Sequence, residues 1–296
     1  KLGHPENNLK NVINIIGSDG KFSLLTSLKF FIEGNSQKTS AYISPSLKDI
    51  RERFWMGDRY LTFTEIRKTI KKIEKKKVKL TVFETLTVIF ILNAANKDNN
   101  YNLIEAGALF AKDSTNVFNF PKIQAVVNIN KQHLNFLKRK TISEIILQKV
   151  GFLSNFTNIY IGKQKPFILK KIKHLLSKNN KKIYYPNLWK LVKSNNKYFY
   201  QDQKNKIEIK TRYIHSRGLI ENLCMAIKIA LDIKISKKVI MKTIPKIKLP
   251  ARIEYLEKGK LIKKIYSGEK ILLDGCHSEI SAKNLADYLK TIKMPI

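Results

Sequence analysis

The stretch Val12-Ile-Asn-Ile-Ile-Gly-Ser-Asp-Gly-Lys-Phe-Ser23 constrains this chain more than any other. Val12, Ile13, Ile15 and Ile16 form the β-branched run of a strand buried on both faces of a parallel sheet. Gly17 and Gly20 admit backbone angles closed to other residues, so the chain can turn sharply with its amides aimed at an anion. Lys21 adds a point charge suited to phosphate, Ser23 a hydroxyl suited to Mg²⁺, and the helix that follows presents the positive end of its dipole. The standard phosphate-loop pattern opens on a glycine where this chain has Ile15 and places Ser or Thr directly after the lysine, where it has Phe22. Two readings therefore stand at this point, a phosphate-binding loop or a plain strand-turn-helix corner with a surface lysine.

The rest of the chain narrows the choice. Its 296 residues, 43% of them hydrophobic, suffice for one large domain or for one domain and part of a second. With 57 Lys and Arg against 23 Asp and Glu the formal charge is +34, which would suit a polyanionic partner such as nucleic acid. The lysines are spread through nearly every segment with no basic tail, so a solvated basic surface that attracts small anionic substrates is the favoured reading, and no nucleic-acid partner is expected. Cys224 and Cys276, far apart and without a CxxC pattern, argue against a disulfide framework or structural zinc and fit a reducing, cytoplasmic setting. The apolar run 86–92 is too short to span a bilayer and the N-terminus has no signal layout, so no membrane is expected. The chain opens at Lys1-Leu2-Gly3-His4 and closes at Met294-Pro295-Ile296 just after a helix, as a piece of something longer would.

In chain order, residues 23–31 read as a helix packed on the sheet and 39–43 as the next strand, ended by Ser44-Pro45. Residues 47–54 read as a polar connection. Residues 62–72 carry the Thr-x-x-Glu start of a capped helix at Thr62 and Glu65. A buried helix is expected over 81–95, with Glu84 among apolar neighbours and in need of a partner. Strands at 101–105 and 123–129 end in Glu105 and in Gln132-His133; in an open α/β sheet ligands bind beyond such carboxyl ends. Three strand ends thus offer Lys21 with Ser23, Glu105, and His133 to one crevice. Helices follow at 141–153 and 166–176, strands at 158–161 and 182–185, β-hairpins over 188–213 and a helix at 218–231. A linker at 246–250 leads to strands at 252–257 and 270–274 and a helix at 281–289.

Several segments carry a resemblance. Gly-Ser-Asp-Gly-Lys-Phe-Ser at 17–23 resembles Gly-Thr-Asn-Gly-Lys-Gly-Ser, and Ile43-Ser44-Pro45-Ser46-Leu47 with Arg51-Glu52-Arg53 resembles Thr-Ser-Pro-His-Leu and its Arg-Glu-Arg loop. Phe83-Glu84 matches a Phe-Glu pair; Glu105-Ala-Gly107 with Asp113-Ser-Thr115-Asn116 is similar to Glu-x-Gly-Leu-Gly-Gly-Arg-Leu-Asp-Ala-Thr-Asn. Gln132-His133 stands where the pattern has Asp-His, Lys149 to Phe152 where it has Lys-Ala-Gly-Ile, Arg252 where it has an interdomain Arg, and Asp274-Gly275-Cys276-His277 where it has Asp-Gly-Ala-His. In this order and spacing they resemble the folylpolyglutamate synthase and dihydrofolate synthase family of the Mur ligase superfamily, over nearly the whole chain.

The resemblance implies ATP- and Mg²⁺-dependent ligation of L-glutamate to dihydropteroate or folate: ATP phosphorylates a carboxyl group, and the glutamate amine displaces phosphate from the acyl phosphate. It implies a catalytic set of Lys21, Lys149 and His277, with Lys149 matching a lysine that family members carbamylate. Gly17, Gly20, Lys21, Ser23, Asn222, Arg252 and Asp274 would bind the nucleotide, and Ser23, Glu105 and His133 would bind Mg²⁺. The implied fold is α/β, a P-loop-type, mostly parallel sheet flanked by helices over 1–247, followed by a linker and the start of a smaller Rossmann-like glutamate-ligase domain over 248–296. A monomer is expected. The departures are Phe22 for Gly, Ser46 for His, Gln132 for Asp, Ala111 for Arg, Leu109-Phe110 for the Gly pair, Leu219 for Gln and Ser278 for Asn. They keep two alternatives open, another Mur-type amide ligase and a catalytically impaired nucleotide-binding homologue. Phe22 is expected to take helical angles and to turn its ring onto the sheet.

Overall fold

The structure is a computed structural model describing residues 1–177 and 182–292, and the closing Met294-Pro295-Ile296 lies outside the described residues. Strand β1 (Val12–Ile16) is buried along its whole length. It runs into helix α1 (Lys21–Gly34), strand β2 (Thr39–Tyr42) and a short strand β3 (Phe54–Met56). Helices α2 (Phe63–Glu74) and α3 (Val82–Ala94) precede β4 (Tyr101–Glu105) and β5 (Ile123–Val126). Then come α4 (Ile142–Val150), β6 (Asn158–Ile161), α5 (Pro166–Leu176) and β7 (Lys182–Tyr184). The sheet order is β3-β2-β4-β1-β5-β6-β7. Every pairing in it is parallel except that of β2 with β3.

Side chains alternate across β1, and this decides which helices cover which face. Ile13 and Ile15 meet Leu24, Leu28 and Phe31 of α1, together with helices α6 (Arg217–Asp232) and α7 (Lys237–Thr243). Val12 lies on the other face in the cluster of Phe90 and Ile104, and Ile16 in that of Ile146 and Ile168 from α4 and α5. Full burial of each large aliphatic or aromatic side chain contributes roughly 1.5–3 kcal/mol, so a strand apolar on both faces is stable only between two helical layers. Strands β8 (Lys190–Ser194), β9 (Lys197–Gln201) and β10 (Lys206–Glu208) form the expected antiparallel hairpins, which close the α6 side with Tyr200 and Ile207.

Four expectations change. Residues 47–54 are not wholly a polar connection: Phe54 and Met56 are buried in an edge strand too short to show a pattern. Glu84 is not a core carboxylate but half of a capping box, bonded to the Thr81 N–H at 2.7 Å and to its hydroxyl at 2.8 Å. Helix α1 begins at Lys21, not Ser23. Strands β11 (Glu254–Tyr255) and β12 (Leu272–Leu273) are shorter than expected. Ala251 and Ile253 both have φ of 52°, a left-handed conformation in which a strand cannot continue. Helix α8 (Glu279–Leu289) closes the described chain. Among the described residues no helix is long and apolar enough to cross a membrane.

Candidate active site

The chain leaves β1 toward β2 and β4 on one side, and the later strands β5, β6 and β7 lie on the other. The sheet therefore has its switch point at the carboxyl end of β1, where an open α/β sheet binds ligands. The Gly17–Gly20 turn sits there. Gly17 has φ of 145°, and a Cβ would fall 2.4 Å from Val127 Cγ2 and 3.1 Å from the Asn128 carbonyl. Gly20, at φ 96°, is the N-cap of α1 and supplies no side-chain cap. The Ser18 N–H donates to the Asn128 carbonyl at 2.7 Å, and the first helical bond runs from Leu24 N–H to the Gly20 carbonyl, so the amides of Lys21, Phe22 and Ser23 have no partner within the helix and are placed to meet an anion.

Lys21 Nζ donates to the carbonyls of Ser18 (3.0 Å) and Gly17 (3.3 Å) and lies 4.0 Å from Glu105 Oε1. Glu105, 3% exposed, accepts a hydrogen bond from the Ser44 N–H at 3.2 Å. Burial pushes its carboxyl up, against the pull of Lys21. Ser23 donates to the Gly20 carbonyl (2.9 Å) and accepts from Asn222 Nδ2 (3.0 Å), so α6 reaches the loop through one amide.

His133 stands on the loop after β5 at φ 57°. Burial first, then Lys149 and Lys21, pull its imidazole below the usual value, so the ring stays neutral and its nitrogen can serve a cation. Lys149 takes a different place from the one the motif suggests. It is 1% exposed, behind the loop, and donates to the carbonyls of Ala108 (2.5 Å) and Gly17 (2.8 Å). Burial and Lys21 pull its amine down to about 7.

The C-terminal segment faces the loop. Asp274 Oδ2 accepts from the Ile253 N–H at 2.8 Å and fixes the turn that carries Arg252. The Arg252 guanidinium lies 5.6 Å from the Phe22 ring centre. Phe22 is helical with negative φ as expected, but its ring turns to Arg252 and the cleft, not onto the sheet. His277 is exposed, its Nδ1 2.9 Å from the Gly275 carbonyl. A cleft of about 1450 Å³ brings together Gly20, Lys21, Ser23, Glu105, His133, Asn222, Arg252, Asp274 and His277, while Gly17 and Lys149 stand behind its wall.

The donors in the cleft fit a hard cation in part. Ser23 and Glu105 supply oxygen, and Asn128 Oδ1, on a residue of the wall, is buried without a partner among the described residues. No group of three His, Cys, Asp or Glu that could hold a metal occurs among the described residues. Sequence reasoning passed over Asp19 and Asp113. Asp19 binds Asn130, Gln132 and Ser278. Asp113 accepts from the N–H groups of Gly107 (3.1 Å) and Thr115 (2.9 Å), with its carboxyl pushed up by burial. Asp19 lay in the loop motif itself and Asp113 in the quoted Asp-Ser-Thr-Asn run, so each had a signal.

A central β1, a glycine turn at the switch point and a carboxylate ending the neighbouring strand define an open, mostly parallel α/β domain whose crevice lies at the carboxyl end of β1. Solved structures with this fold include folylpolyglutamate synthases, the family that the motifs resemble. The synthase of Thermotoga maritima is 26% identical, with a TM-score of 0.82 over 98% of this chain and 68% of that one. The Mycobacterium tuberculosis synthase complexed with ADP is 19% identical, with a TM-score of 0.81 over 98% and 67%. A bifunctional folylpolyglutamate synthase/dihydrofolate synthase with Mn, AMPPNP and L-glutamate bound is 18% identical, with a TM-score of 0.82 over 98% and 69%. No protein-family model and no curated protein sequence matches the chain.

Proposed function

We propose that the chain carries an ATP- and Mg²⁺-dependent ligase site that joins L-glutamate to dihydropteroate or folate. The observation that carries this reading is the convergence on one cleft of an uncapped loop and helix, Lys21 beside the buried Glu105, and Arg252 from the opposite segment. Phosphoryl transfer requires positioning and charge neutralisation from the protein. Lys21 and the loop amides would hold the ATP phosphates, while Arg252 and Asp274 would close on the nucleotide from the other side. Ser23, Glu105 and His133 would hold Mg²⁺, which supplies neutralisation of phosphate charge when bound. The acceptor carboxylate attacks the terminal phosphorus, ADP leaves, and the glutamate amine then displaces phosphate from the acyl carbon.

A second part of the cleft suits the flat acceptor. Phe83 and Asp113 flank Gly107, where an added Cβ would lie 2.4 Å from Asp113 Oδ2 and 3.1 Å from the Phe83 ring. An aromatic face beside a half-buried carboxyl fits a heteroaromatic ring with N–H donors. Residues 248–296, with their own two-stranded sheet, would begin the glutamate-ligase domain. Both cysteines are free, in keeping with a reducing, cytoplasmic compartment, and we propose a monomer. Lys149 is proposed as a site of carbamylation: an amine lowered to about 7 is half neutral near that pH, and its lone pair can attack carbon dioxide and release a proton. The product would have to turn from the Gly17 and Ala108 carbonyls toward the cleft.

Phosphate release with ATP, L-glutamate and each candidate acceptor tests the function. Release dependent on both glutamate and a pterin acid is the expected result, and release with neither pterin acid would point to another Mur-type acceptor. Phe22→Gly is expected to change ATP affinity less than about tenfold, or about 1.4 kcal/mol, because Phe22 is already helical and its ring contacts Arg252 at the cleft wall. An affinity gain near a hundredfold, about 2.7 kcal/mol, would show the ring obstructing the site and favour the impaired-homologue reading.

A further inference from the structure

The Asp19 carboxylate is held by donors from two other parts of the chain. Gln132 Nε2 donates to Oδ1 at 3.1 Å and to Oδ2 at 3.2 Å, and Asn130 Nδ2 also donates to Oδ2. Ser278 Oγ donates to Oδ2 at 2.9 Å. Asn130 and Gln132 lie on the loop that presents His133. Ser278 caps α8, accepting from the Ser281 N–H at 3.1 Å, and directly follows His277. One carboxylate of the phosphate loop therefore ties down both segments that carry the histidines of the cleft. In the family pattern that the chain resembles, the positions of Asp19 and Gln132 hold Asn and Asp: the amide and the carboxylate have changed places. Gln132 then ceases to be a lost acid and becomes the complement of a gained one.

We propose that Asp19 is a positioning residue that latches the His133 loop and the His277 segment onto the phosphate loop, and that Gln132 is its charge-exchanged partner. The inference rests on the proposed function only for its consequence, that closing the cleft over a nucleotide is coupled to the loop that holds the phosphates. An ionised acceptor makes each of these hydrogen bonds stronger than a neutral one would be. The arrangement also implies that the two exchanged positions must be changed together.

Hydrogen–deuterium exchange on the ligand-free chain tests this. Asp19→Asn should speed amide exchange by about tenfold or more in both 128–133 and 275–281, as expected for lost hydrogen bonds to a charged group. Gln132→Glu should loosen 128–133 by setting two carboxylates about 3 Å apart. The double variant Asp19→Asn with Gln132→Glu should return 128–133 to within about threefold of wild type, since an amide again faces a carboxylate. Ser278→Ala should loosen 275–281 alone. Unchanged exchange in Asp19→Asn, or a double variant no better than the worse single, overturns the proposal. If a single variant fails to fold, recovery of the folded chain in the double variant supports the latch and failure to recover overturns it. A parallel titration with the ATP analogue AMPPCP should show weaker binding in each single variant and restored binding in the double. Absence of AMPPCP binding by wild type would sink the proposed function, while the exchange results would still decide the latch.

Discussion

Glu105→Gln is expected to abolish ATP turnover, with a loss of about a hundredfold or more, and to leave the chain as stable as wild type or more so. The two expectations have one cause. Glu105 is 3% exposed, accepts a single hydrogen bond among the described residues, from Ser44, and has Lys21 at 4.0 Å. That leaves a buried carboxylate short of partners, which is unfavourable for the fold but provides oxygen at the end of β4 for a cation beside phosphate. Because folding raises its pKa, its contribution to stability is fully present below its unfolded value and is lost as pH rises through the folded one. The stability of the glutamine variant relative to wild type should therefore grow as pH rises from the acid range. Thermal unfolding of both proteins from acid to neutral pH, beside phosphate-release rates, checks this. A variant that turns over normally, or that loses stability at neutral pH, would refute the assignment. His133→Ala should likewise weaken Mg-ATP binding without unfolding the domain.

Lys149→Met should have the next largest effect, and it should differ in kind. The amine donates to the carbonyls of Gly17 and Ala108 and so joins the Gly17–Gly20 turn to the turn after β4. Removing it leaves two acceptors without that donor, and AMPPCP affinity is expected to fall by about tenfold or more. In the unfolded chain this lysine keeps its proton to about 10.5, but in the folded chain only to about 7. Folding therefore releases a proton between those values, and wild-type stability rises with pH across the window, by up to about 1.4 kcal/mol per unit. The methionine variant should lack that rise, as denaturant unfolding of both proteins at pH steps above 7 would show. Equal slopes would mean that Lys149 is an ordinary exposed ammonium. Mass spectrometry before and after bicarbonate, with Lys149→Arg as control, reads the proposed carbamate separately.

The site was legible in the sequence wherever a short run carried its own signal. The loop from Gly17 to Ser23, Glu105 at a strand end and His133 beyond the next were read from local pattern, and the structure sets Lys21, Ser23, Glu105 and His133 on one cleft. Thr81 and Glu84 had the same spacing as Thr62 and Glu65, so the second cap was as readable as the first, yet apolar neighbours suggested a buried carboxylate. Gln132 looked like damage because its partner lies 113 residues earlier.

The sequence alone determined the central strands, most of the helices and the glycine turn after β1, because these follow from side-chain periodicity, caps and glycine angles acting within a few residues. Tertiary structure decided the rest. Whether Phe22 faces the sheet or Arg252, whether Lys149 faces the cleft or the back of the loop, and whether Asp19 finds Gln132 and Ser278 all depend on contacts between segments far apart in the chain. Hydrogen bonds and desolvation act over a few ångströms in space, and no periodicity along the chain records which distant residues come that close.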